Sequence, residues 1–111
     1  MEIKTYEDMR LMAKMDDQII IAIRSGLNAL DALHEARSSL LDCSLSSVLA
    51  NSCAYIRSDT IYESSEELLG QIRIMEHDLR KAIDEWTRES NRIEDAIEHF
   101  KEEDEKNDAS A

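Results

Sequence analysis

From Tyr6 to Leu41 apolar residues recur near the helical period, at Met9, Met12, Ile19, Ile23, Leu27, Leu30, Leu33 and Leu40, with Asp, Lys and Arg between them. That pattern predicts one amphipathic helix. The next stretch, Asp42-Cys43-Ser44-Leu45-Ser46-Ser47, concentrates residues that favour caps and turns, which places the chain reversal at 42–47 with Ser46 or Ser47 as the N-cap of a second helix. Helix two is predicted from about Val48 to Glu103, followed by an acidic tail at 104–111. Within it, Ser58-Asp59-Thr60-Ile61-Tyr62-Glu63 contains a Thr-x-x-Glu capping-box pattern, the signature of a kink or a restart, but helix two is read as running through it. No stretch alternates apolar and polar residues with the β-branched and aromatic enrichment of a strand. The predicted fold is therefore all-α: a single antiparallel two-helix hairpin over 1–111, coiled-coil-like, with the longer helix second.

The two predicted helices do not match in length. At 1.5 Å per residue they would span about 52 and about 82 Å, leaving roughly 30 Å of helix two, from about Ile83 to Glu103, beyond the start of helix one. The overhang is not polar. Leu79, Ile83, Trp86, Ser90, Ile93, Ile97 and Phe100 follow a strict three-and-four spacing, the signature of a coiled-coil seam that needs a partner. Helix one carries a second excess: Ile19, Ile20, Ile21, Ala22 and Ile23 step by about 100° each and wrap the whole helix, more than one partner helix can cover. Ile83, Trp86, Ile93, Ile97, Ile20 and Ile21 are accordingly the candidate partner-binding residues, and the expected partner is a helical protein, or a second copy when the chain is alone.

Composition narrows the function. Proline is absent and only Gly26 and Gly70 interrupt side-chain continuity, so long helices have few stops. The 25 acids and 13 bases give a formal charge of −12, which opposes binding to phosphate backbones and to anionic membranes. The longest apolar run is five residues, Ile19–Ile23, where a spanning helix needs roughly 20. Met1-Glu2-Ile3-Lys4 resembles no secretory leader. Cys43 and Cys53 lie near the expected reversal without a neighbouring base, and read as reduced, small apolar residues of a cytoplasmic protein.

Catalytic equipment is missing from the pattern. His34, His77 and His99 are the only imidazoles, no Glu-x-x-His pair is present, and Asp95 with His99 offers two metal ligands, too few for a site. The glycines stand alone, so no phosphate-cradling loop is written here, and the serines follow no nucleophile pattern. The reading is of a protein that is not an enzyme and needs no cofactor. Met9, Met12 and Met15 fit core filling or an adaptable binding surface. The acids from Glu102 to Glu105 sit at a helix C-terminus, where the helix dipole disfavours them.

A hairpin of about 100 residues ending in His99-Phe100-Lys101-Glu102-Glu103-Asp104 resembles the WXG-type helical-hairpin proteins of type VII secretion. Phe100-x-x-x-Asp104 is similar to the aromatic-x-x-x-acid export motif that such proteins carry after helix two. The Trp-x-Gly turn of that family is absent, since the lone tryptophan is Trp86. The chain thus looks more like the divergent branch encoded beside LXG-domain toxins. This resemblance implies that the chain binds the helical N-terminal region of such a toxin, alone or with a second small helical protein, and presents Phe100 and Asp104 to the secretion ATPase. It leaves open whether the protein stays in the cytoplasm or is co-exported. The alternative reading is a cytosolic coiled-coil adaptor or structural subunit that is not secreted.

Overall fold

The computed structural model describes residues 2–51 and 59–110. It contains two helices, α1 (Tyr6–Asn51, 46 residues) and α2 (Asp59–Ser110, 52 residues), and no strand among the described residues. The all-α hairpin with the longer second helix is the observed fold.

α1 starts on a reciprocal cap. The Asp8 amide donates to Thr5 Oγ1 at 3.1 Å, and the Thr5 and Lys4 amides donate to Asp8 Oδ2 at 3.3 and 3.2 Å. This is a capping box with Asp in the third helical position, and Glu7 and Asp8 suit the positive end of the dipole.

The end of α1 corrects the predicted reversal. Residues 42–47 are helical, and Val48 belongs to α1 rather than to the start of helix two. Their serines serve the helix instead of capping one: Ser47 Oγ donates to the Cys43 carbonyl at 2.9 Å, and Ser44 Oγ donates across to Glu66 Oε1 at 2.8 Å. A hydroxyl that finds its acceptor one turn back or on the neighbouring helix has no reason to end the helix. The capping-box region coincides with the first residues of α2, which begins at Asp59. Cys53 and Ser58 lie outside the described residues. The acidic tail is corrected too, because α2 runs to Ser110; Glu and Lys are strong helix formers and no Gly or Pro stops them.

α1 is longer and α2 shorter than predicted, so the overhang shrinks to the residues of α2 after Asp104, beyond the Tyr6 contacts that start α1. The chain divides into two compact units, Met1–Ser25 with Ala82–Ala111, and Gly26–Lys81. In the first, Tyr6 meets Phe100 and Asp104, and Asp16 meets Ser90. In the second, Arg37 meets Glu76, and Ser44 meets Glu66. Both sets run antiparallel.

One set of buried and half-buried positions follows an unbroken three-and-four spacing. In the first unit these are Met9, Met12, Asp16, Ile19 and Ile23 of α1 with Ile83, Trp86, Ser90, Ile93, Ile97, Phe100 and Asp104 of α2. In the second they are Gly26, Leu30, Leu33, Arg37, Leu40, Ser44 and Ser47 with Ser65, Leu69, Ile72, Glu76 and Leu79. Heptad a and d positions of an antiparallel pair behave this way. Met9 and Met12 fill the seam, while Met15 is exposed.

Candidate partner-binding surface

The sequence-predicted stripe is largely internal. Ile93 is fully buried, Ile83 is buried, and Trp86, Ile97 and Phe100 are half-buried. Ile83 and Ile93 are therefore hairpin core rather than a partner surface, because the N-terminal half of α1 covers them. Of the two isoleucines singled out on α1, Ile20 is half-buried and Ile21 is 54% exposed.

The structure does bring Phe100 and Asp104 together, and adds a third member. The Tyr6 ring packs edge-on against Phe100 with centroids 5.3 Å apart and planes at 86°, a favourable quadrupolar arrangement. Its hydroxyl donates to Asp104 Oδ2. The pair thus lies within the paired region, not beyond it. A cavity of about 330 Å³ beside it is lined by Glu2, Ile3, Ala96, His99, Phe100 and Glu103.

Three polar layers interrupt the seam. In the first unit Asp16, 7% exposed, accepts a hydrogen bond of 2.5 Å from Ser90. Glu94, on the flank beside it, has its carboxyl pushed above the usual range, chiefly by repulsion from Asp16, then by the hydrogen bond it shares with Asp16, by desolvation and by Asp95. In the second unit the buried Glu76 faces Arg37 and Arg80, each at 3.4 Å. Its Oε1 makes no hydrogen bond and is compensated by the Arg37 ion pair alone among the described residues. Ser44, Ser47 and Ser65 form the third layer, with Ser65 Oγ 3.7 Å from the free thiol of Cys43. Sequence reasoning missed Asp16, Arg37, Glu76, Ser44 and Ser47 by following apolar residues only. The three-and-four spacing carried straight through them was the available signal.

Large apolar side chains remain exposed in both units, Leu11, Met15 and Ile21 in the first and a larger set in the second. Leu27, Leu41, Leu45 and Val48 of α1 are 49%, 39%, 62% and 51% exposed. Leu41, Leu45 and Val48 step by four and three and form one stripe. By helical spacing and the register of the pair, Asp42 of α1 and Glu66 and Arg73 of α2 border it, a polar rim of mixed sign. An apolar stripe inside such a rim is the anatomy of a protein interface. No group of three or more His, Cys, Asp or Glu able to hold a metal occurs among the described residues, so Asp95 and His99 remain a pair on the surface. Among the described residues no helix is long and apolar enough to cross a membrane.

No family model, curated protein or solved structure matches this chain.

Proposed function

We propose that this protein is a helix-binding partner, a hairpin whose α1 stripe Leu27, Leu41, Leu45 and Val48 receives an amphipathic helix of another chain. The observation that carries the reading is the exposure of these four side chains on one side of α1, outside the closed seam. Leu41, Leu45 and Val48, spaced by four and three, share one side of α1 that its pairing with α2 leaves open, and Leu27 lies further along the helix. Covering the exposed half of each contributes about 1 kcal/mol.

The more specific reading is that of a type VII secretion targeting partner. It binds the helical N-terminal region of an LXG-type toxin and presents Phe100 and Asp104 to the secretion ATPase. Its support is the hairpin architecture and the position of the pair near the end of α2. The alternative, a cytosolic adaptor that is not secreted, is favoured by one observation: Tyr6 engages both Phe100 and Asp104, which gives them a structural use.

Co-expression with the helical region of an LXG-type toxin tests the first step. Leu41→Glu and Leu45→Glu should each abolish co-purification with helicity retained. A complex that survives both substitutions would overturn the assignment of the stripe.

A further inference from the structure

The opposite flank of the second unit has a different character. On α1 the flanking heptad positions Ala36, Cys43 and Ala50 alternate with Ala32, Ser39 and Ser46, so that nothing larger than cysteine stands there. On α2 the matching flank carries Ile61, Leu68 and Met75, one heptad apart and 50%, 46% and 55% exposed. The two lie on one side of the hairpin, because an antiparallel pair sets these flanking positions beside each other, and the 3.7 Å approach of Ser65 Oγ to Cys43 Sγ fixes that side. By the observed register Ala36 is level with Met75, Cys43 with Leu68, and Ala50 with Ile61.

In a chain that is 34% charged, these nine positions hold no charge. The outer flank of α2 beside them adds Ser64, Gln71 and Asp78, so a single acid is the charge this face offers a partner, in contrast to the rimmed stripe across the hairpin. It does complement itself. If two hairpins meet face to face about a two-fold axis parallel to the helices, α1 of each lies over α2 of the other at the same level. Every small residue then meets a large one: Cys43 meets Leu68 of the second copy, and Leu68 meets its Cys43. A two-fold contact needs this reciprocity. The footprint, about 30 Å of helix by two helix diameters of about 10 Å, covers roughly 600 Å² on each copy and about 1,200 Å² in all, which reaches the range of specific interfaces.

We infer that the protein forms a two-fold dimer, a four-helix assembly in which the Ile61, Leu68 and Met75 ridge of one copy packs on the small-residue flank of the other. The inference goes beyond the proposed function and uses a different face, leaving the Leu41, Leu45 and Val48 stripe open to a second kind of partner. Because each copy carries a charge of −12, most of it off this face, added salt should strengthen the dimer by screening long-range repulsion.

Sedimentation equilibrium over a concentration series on the full chain tests it. The wild type should show a monomer–dimer equilibrium that tightens with salt. Leu68→Glu should weaken association at least about thirtyfold, as loss of a central anchor does, with unchanged circular dichroism since the position is exposed. Cys43→Lys should do likewise. An equimolar mixture of the two variants should recover a heterodimer, because the introduced lysine and glutamate then face each other across the interface. A wild type that stays monomeric at every concentration, a dimer that keeps its mass in both variants, or a mixture that stays monomeric would each overturn the inference. Failure is distinguishable from failure of the proposed function. Leu41→Glu should lose the partner and keep the dimer, whereas Leu68→Glu should do the reverse.

Discussion

At the scale of single residues the polar members of the seam set the local energetics. The carboxyl of Glu94 holds its proton more tightly than usual, chiefly through repulsion from the neighbouring buried Asp16. A carboxyl whose folded-state pKa is raised binds more protons folded than unfolded. Its ionisation therefore costs stability as pH rises through the window from the unfolded value up to the folded one, and the cost is complete above that window. Stability should fall over this interval, and NMR titration should find the Glu94 midpoint above that of the exposed glutamates. Asp16→Asn should bring that midpoint back toward the ordinary value, since the amide removes the charge while still accepting from Ser90. A Glu94 midpoint unchanged in the variant would sink this account. Gly70 makes a second, independent case. It lies inside α2, its φ is not positive, and a Cβ there meets nothing within 4 Å. Gly70→Ala should stabilise the hairpin by about 0.5 to 1 kcal/mol, seen as a higher melting temperature, because only the unfolded chain loses freedom.

At the scale of the elements, the boundary of α1 decided what could be read beforehand. The all-α class, the start of α1 at Tyr6, the hairpin and the greater length of α2 were legible from periodicity and from the absence of proline. The reversal was not, because Ser44, Ser46 and Ser47 look like caps in isolation, and only the partner helix shows that the Ser44 hydroxyl is used across the seam. That one misplacement produced the overhang and turned core residues into a predicted interface. The seam spacing Leu33, Arg37, Leu40, Ser44, Ser47 would have carried helix one past the serines, had polar residues been allowed at a and d positions. The difference between core and surface is measurable. Ile93→Ala, at a fully buried position, should cost about 2 to 5 kcal/mol in denaturant unfolding. Ile21→Ala, on an exposed flank, should change stability by less than about 0.5 kcal/mol. Comparable losses at the two positions would contradict the register described above.

For the molecule as a whole, the question is whether Phe100 and Asp104 are an address or a clasp, and Tyr6 lets the two be separated. The tyrosine ring stacks on Phe100 and its hydroxyl donates to Asp104, so all three tie the N-terminal turn of α1 to α2. Tyr6→Phe removes the hydroxyl and keeps the ring contact. Asp104→Asn keeps an acceptor for that hydroxyl and removes the charge. If the pair is purely a clasp, both variants should lower stability modestly, by about 1 kcal/mol or less for a solvent-accessible hydrogen bond, and neither should affect any partner's fate. If a secretion receptor reads the carboxylate, Asp104→Asn should stop toxin export while toxin still co-purifies from cells. Tyr6→Phe should leave export intact, because the charge it releases is the one the receptor needs. The comparison of toxin in the culture supernatant with toxin retained in the cellular complex reads both outcomes at once. Normal export by Asp104→Asn would leave the adaptor reading standing.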